Sequence, residues 1–132
     1  MVLRLLLDTH IVIRWLAQPG KLSREQRRVL DEATRRQECV AVSDVSFIEI
    51  ALLHERERIG GKLEYIFHEL DTNPMFRILP MTTEIAREVV AAGDSLRDPS
   101  DRAIVATAAV HRLRLLTSDE RIIDSGLVPV IE

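Results

Sequence analysis

The segment Val2-Leu3-Arg4-Leu5-Leu6-Leu7-Asp8-Thr9-His10 decides how the rest of the chain is read. A near-continuous apolar run, interrupted only by Arg4 and stopped by Asp8-Thr9, suits a strand covered on both faces, and therefore a central one. Strands of that kind belong to parallel sheets, whose members need long crossovers, usually helical. The downstream sequence supplies them. Ile11, Ile13, Trp15 and Leu16 begin a short helix halted by Gln18-Pro19-Gly20, and Ser23-Arg24-Glu25-Gln26 has the capping-box spacing of a second helix running to about Arg36. Cys39 to Ser43 reads as the second strand, with Cys39 as a small core residue that cannot form an internal disulfide alone. Ser46-Phe47-Ile48-Glu49 repeats the capping-box spacing ahead of a third helix that Gly60-Gly61 closes.

Leu63, Ile66, Phe67 and Leu70 then recur at helical spacing before a third strand over Phe76 to Met81 and a helix from about Thr83 to Ala92. Asp98-Pro99-Ser100-Asp101 opens another helix, with proline in its first turn and Ile104, Val105, Ala108 and Ala109 on a narrow packing face. Leu115-Leu116-Thr117 forms the fourth strand. Leu127 to Ile131 forms the fifth, placed at a sheet edge because Pro129 has no backbone donor.

This alternation predicts one α/β domain over residues 1–132, a three-layer α/β/α sandwich around a central, mostly parallel five-stranded sheet. A composition 46% hydrophobic and 30% charged excludes a disordered chain. No apolar run approaches the roughly 18 residues of a membrane span, and Met1 to Leu7 is too short for a secretory signal, so the cytoplasm is the expected compartment. The net charge of −3 excludes a body that grips nucleic acid by bulk electrostatics; any such contact must be local.

In open parallel sheets, ligands bind beyond the carboxyl ends of the strands, where strand order reverses. Asp8 follows the first strand and Asp119 the fourth, Asp101 lies in the first turn of the helix leading to the fourth, and Glu49 begins the helix after the second. If the first two strands are neighbours, all four acids reach one cleft. Like charges so close repel and raise one another's pKa, which a divalent cation relieves. Oxygen donors without histidine or cysteine select Mg2+, with Mn2+ as the alternative, and suit hydrolysis of a phosphodiester by water. There is no phosphate-cradling glycine motif.

The strings Leu6-Leu7-Asp8-Thr9-His10, Ser46-Phe47-Ile48-Glu49-Ile50, Asp98 to Ala108 and Leu116-Thr117-Ser118-Asp119 closely resemble the PIN-domain nucleases, specifically the VapC toxins of bacterial toxin-antitoxin pairs. The resemblance covers essentially the whole chain. It implies a magnesium-binding quartet of Asp8, Glu49, Asp101 and Asp119, steadying hydroxyls on Thr9 and Thr117, endoribonuclease activity on RNA, a homodimer, and inhibition by a small VapB antitoxin. Ser100 stands where many relatives carry a bulkier residue.

Plainer roles compete at several positions. Asp98 satisfies the orphan donors of its helix and reads as a cap before it reads as a ligand. Glu49 and Asp101 fit capping boxes, and Asp119 can cap the turn that follows it. Arg102 and Arg121 flank the expected cleft and are candidates for RNA phosphate, against ordinary solvated arginines. The four histidines have no metal-ligand spacing and are assigned no chemistry. The competing functions are a housekeeping nuclease of RNA maturation and a catalytically silent RNA-binding or scaffold module.

Overall fold

The computed structural model describes residues 3–132, so the expected start of the first strand at Val2 lies outside the described residues. Five strands, Leu5–Leu7 (β1), Val40–Ser43 (β2), Phe76–Leu79 (β3), Arg114–Leu116 (β4) and Val130–Ile131 (β5), form one sheet in the order β3-β2-β1-β4-β5. Every pairing is parallel: Leu7 lies opposite Val42 on one side and Leu116 on the other, and β5 is an edge strand. The apolar opening run therefore holds the centre of the sheet, and the first two strands are neighbours.

Seven α-helices connect and cover the strands: Thr9–Ala17 (α1), Arg24–Arg35 (α2), Val45–Glu55 (α3), Leu63–Thr72 (α4), Thr83–Ala91 (α5), Pro99–His111 (α6) and Glu120–Ser125 (α7). Because strand side chains alternate, β1 feeds two cores. Leu7 joins Val42 and Leu116 beneath α1 and its neighbours, with Ile11, Val12, Leu30, Ile50 and Ile66. Leu6 joins Ala41 and Leu115 on the other face, against Ile104, Val105, Ala108 and Ile122. Leu6 and Leu7 are both fully buried, which removes about 2 kcal/mol worth of apolar surface per side chain from water.

Three local expectations change. α3 starts at Val45, so Ser46 lies inside the helix and forms no capping box with Glu49; its buried hydroxyl bonds Thr9 instead. α3 also ends at Glu55, where Glu57 takes the left-handed conformation, before Gly60-Gly61 is reached. β2 begins at Val40, which leaves Cys39 half-buried with its thiol against the Pro74 carbonyl rather than in the core.

The capping box at α2 does form, and it reaches further than its spacing implies. Gln26 is fully buried; its Oε1 accepts from the Ser23 backbone N at 3.0 Å, while its Nε2 lies 3.2 to 3.4 Å from Thr117 O, Ser118 Oγ and Ile131 O. One amide thus joins the start of α2 to the ends of β4 and β5. Truncation in Gln26→Ala leaves the Thr117 carbonyl and the Ser23 amide without this partner, while Ile131 O keeps the Thr117 amide, and we expect a loss of about 2 kcal/mol in urea unfolding, with the m-value unchanged.

Candidate active site

With the order β3-β2-β1-β4-β5, chain progression reverses between β1 and β4, and the crevice lies beyond their carboxyl ends. Asp8 leaves β1 directly into this crevice and is 4% exposed. Its backbone is extended, with its N–H donating to Leu116 O at 3.0 Å. As the N-cap of α1, its Oδ1 accepts from Thr9 N at 2.8 Å. Its Oδ2 accepts from the buried Thr117 hydroxyl at 2.7 Å. Both oxygens are therefore oriented before any ligand arrives.

Glu49 reaches the same place from α3. Thr9 Oγ1 donates to Glu49 Oε1 and lies 2.8 Å from the Ser46 hydroxyl, so one continuous hydroxyl chain aims this carboxylate. Burial raises the Glu49 pKa against the opposing Thr9 bond, and the Asp8 and Asp98 charges raise it further. Asp101 enters from the first turn of α6 and is 8% exposed. Burial, followed by the charges of Asp98, Asp119 and Asp8, pushes its pKa up to about 7. Asp119 caps α7, accepting from Arg121 N at 2.9 Å, while its own N–H donates to Thr117 Oγ1 at 3.0 Å. Burial opposes its ionised form, but bonds from Arg121 prevail and its pKa falls below the usual range.

Asp101 thus feels Asp8 and Asp119, and Glu49 feels Asp8, from distant segments of the chain. Asp98 is exposed and caps α6, with Oδ1 accepting from Ser100 N at 2.9 Å and Asp101 N at 3.1 Å. Arg121 stands at the rim, its guanidinium 3.3 Å from Asp119 and 3.7 Å from Asp101. Arg102 is committed elsewhere: its Nη2 donates to Val89 O at 2.7 Å and ties α6 to α5, which removes it as a phosphate ligand in this arrangement. His10, given no role from its spacing, belongs to the rim: Nε2 accepts from Ser118 N at 3.0 Å, and Nδ1 lies 3.4 Å from Asp8 Oδ2. Burial lowers its pKa despite the neighbouring Asp8 charge. Its position in the first turn of α1, two residues after Asp8, was the available signal.

Among the described residues, no three His, Cys, Asp or Glu side chains lie close enough together to hold a metal ion as they stand. Threonine hydroxyls, cap amides and Arg121 bond Asp8, Glu49 and Asp119. Asp101 is the exception. No hydrogen bond reaches its carboxylate among the described residues, and Arg121 at 3.7 Å is the only cation close to it. A buried, under-neutralised carboxylate with three acids around it fits a hard divalent cation held by Asp8, Glu49, Asp101 and Asp119.

Residues 5–126 match the family described as PIN domain. The chain is 34% identical over 118 residues to Ribonuclease VapC22 of Mycobacterium tuberculosis (strain ATCC 25618 / H37Rv), covering 89% of this chain and 88% of that protein. Its fold is similar to that of VapBC2 from Rickettsia felis bound to a promoter DNA fragment, with a TM-score of 0.72, 13% identity and coverage of 99% and 98% of the two chains. It is similar also to FitAcB from Neisseria gonorrhoeae, with a TM-score of 0.68, 24% identity and coverage of 97% and 96%. With that match across nearly all its length and its acids gathered at the β1/β4 crevice, the chain belongs to the PIN-domain family, on the VapC branch of its mycobacterial relative.

Proposed function

We propose that this protein is a divalent-cation-dependent endoribonuclease that hydrolyses RNA phosphodiesters, and that it is the toxin of a toxin-antitoxin pair. The observation that carries the reading is the set of charges acting on Asp101, whose pKa burial and the nearby Asp98, Asp119 and Asp8 push up to about 7, with Glu49 raised by burial and by Asp8 and Asp98. The ribonuclease activity in its mycobacterial relative's name and the toxin-antitoxin complexes among its structural neighbours support it. Mg2+ is the proposed cation and Mn2+ its substitute, held by the four carboxylates. A homodimer in the cytoplasm, neutralised by a small VapB-like antitoxin, completes the reading. No helix among the described residues is long and apolar enough to cross a membrane.

When bound, the cation supplies Lewis acidity toward phosphate oxygens and lowers the pKa of water. The chain supplies the positioning. Thr117 and the Thr9 amide fix both Asp8 oxygens, and the Ser46–Thr9 pair aims Glu49. Burial raises the pKa of Glu49, and burial with neighbouring charge pushes that of Asp101 up to about 7, so ionisation of Asp101 in particular is held back. Arg121 is 74% exposed at its side chain and can turn from Asp119 toward a phosphate.

Purified protein should cleave RNA with Mg2+ and stop on chelation. Asp8→Asn and Asp101→Asn should each lower the cleavage rate by about a hundredfold or more. Retained cleavage in both variants overturns the site. Expression should arrest growth, a small antitoxin gene should lie immediately upstream, and its co-expression should relieve the arrest. A housekeeping nuclease predicts neither effect, and a silent binding module predicts RNA affinity without turnover.

The Asp101 shift also sets a stability profile. Its folded pKa of about 7 lies above the ordinary 3.8, so the native state holds the extra proton between those values and stability falls as pH rises through that window. In chelator, the melting temperature should decline from about pH 4 to pH 7, and Asp101→Asn should flatten the decline. Added Mg2+ should raise the melting temperature most at the upper end, where Asp101 is free to ionise. A wild-type decline equal to that of Asp101→Asn removes Asp101 as its source.

A further inference from the structure

The opposite end of the sheet carries the opposite charge. A cavity of about 470 Å3 opens at the amino ends of β1 and β4, against the last turns of α2, with an apolar floor that includes Leu3, Leu5 and Val29. Five arginines line it, Arg4, Arg28, Arg36, Arg112 and Arg114, against only two acids, Glu32 and Glu38. A second concavity of about 370 Å3, floored by Leu127, Val128 and Pro129, shares Arg112 and Arg114 with the first. The two arginines thus form the crest of one trough running beneath β1, β4 and β5.

The ion pairs sort these arginines. Arg28 and Arg36 are held by Glu25 and Glu32, and Arg4 lies 3.7 Å from Glu38. Arg112 and Arg114 are exposed, and among the described residues neither has a carboxylate within 4.0 Å or a hydrogen-bond partner for its guanidinium. Arg112 also closes α6 in the left-handed region at φ +55, a conformation natural to glycine and costly for a residue that carries a Cβ. Gln37 and Glu57 do the same after α2 and α3, but neither lines the trough. Two uncommitted guanidiniums beside apolar walls, on a chain of net charge −3, are what the sugar-phosphate backbone of a single strand requires.

We propose that this trough is a second nucleic-acid contact, in which Arg112 and Arg114 hold backbone phosphates of the RNA at a distance from the cut site. The assignment rests on the ribonuclease reading for the identity of its strand. Arg4 and Asp8 are separated by four residues of extended chain, about 13 Å, so one RNA that folds around the sheet edge meets both ends. The acidic crevice repels RNA in the absence of a cation, and the trough supplies the attraction it lacks.

The test measures binding of labelled single-stranded RNA to the full chain in chelator, where cleavage is silent. R112G/R114Q should weaken binding roughly tenfold at about 150 mM salt and reduce the slope of log affinity against log salt by about 1.4, as expected for two lost single-strand phosphate contacts. R112G should leave the melting temperature unchanged or higher, because glycine relieves the left-handed residue. R112K/R114K should keep the affinity. Unchanged affinity and slope in R112G/R114Q overturn the proposal, and so does a loss in the lysine pair equal to that in R112G/R114Q, since charge would then not be the cause. Wild-type protein that binds no RNA in chelator but cleaves it with Mg2+ fails the trough alone, as does an unaffected R112G/R114Q; wild-type protein that cleaves no RNA with Mg2+ fails the ribonuclease reading.

Discussion

Negative charge gathered at the carboxyl ends of β1 and β4 is the constraint around which this small protein is arranged. Burial and neighbouring negative charge disfavour ionisation at Glu49 and Asp101, and the native structure answers with several modest devices rather than one. Thr9 and Thr117 hydroxyls and cap amides take up lone pairs on Asp8, Glu49 and Asp119. Arg121 leans on Asp119 and Asp101 from the rim. What these partners leave over appears at Asp101, whose proton is held up to about 7. A fully neutralised cluster would be more stable and would have little reason to take up a cation.

The all-parallel sheet makes this arrangement affordable. In such a sheet, every helix that follows a strand starts at the carboxyl end, so the positive ends of helix dipoles collect where the acids are. Asp8, Asp98 and Asp119 cap α1, α6 and α7 respectively, and the carboxylate of each accepts from amides that would otherwise lack partners. Capping and site-building are therefore not rival explanations for Asp8 and Asp119, because the same oxygens serve both. For Asp98 the geometry favours the cap: it is exposed and bonded to two α6 amides, and it enters the cluster through its charge on Asp101 and Glu49.

Much of this was legible in the sequence because hydrophobic periodicity and strand ends follow short-range rules. The run ending at Leu7 identified a central strand, Pro129 an edge strand, and the strand-end acids a crevice. What stayed hidden depends on long-range contacts that no local spacing encodes. Ser46 looked like a cap, but α3 begins one residue earlier and its hydroxyl instead meets Thr9, 37 residues away. Gln26 announced its capping box, yet its second task lies across the sheet at Thr117 and Ile131. Arg102 seemed to flank the cleft, but helical geometry turns it to α5, where its Nε is buried without a partner. Cys39 matched the pattern of a strand residue one position before the strand begins.

The same chain direction that sends helix starts to the acidic end sends helix ends to the other, and there cations complement the dipoles. This accounts for Arg35 and Arg36 at the end of α2 and for His111 at the end of α6. It does not account for Arg114, which sits on β4 rather than on a helix terminus, opposite Leu5 in the central pair of strands. Nor does it explain a left-handed arginine at position 112, since glycine would end α6 at lower backbone cost and His111 already faces the dipole. Dipole complementation therefore predicts a basic rim of paired arginines, whereas the trough adds two with no carboxylate within 4.0 Å among the described residues, Arg114 acting on Glu25 only at longer range. Charge separation along the strand axis places the buried acids at one end of the sheet and the uncommitted arginines at the other, and the proposed hydrolysis of RNA would have use for both.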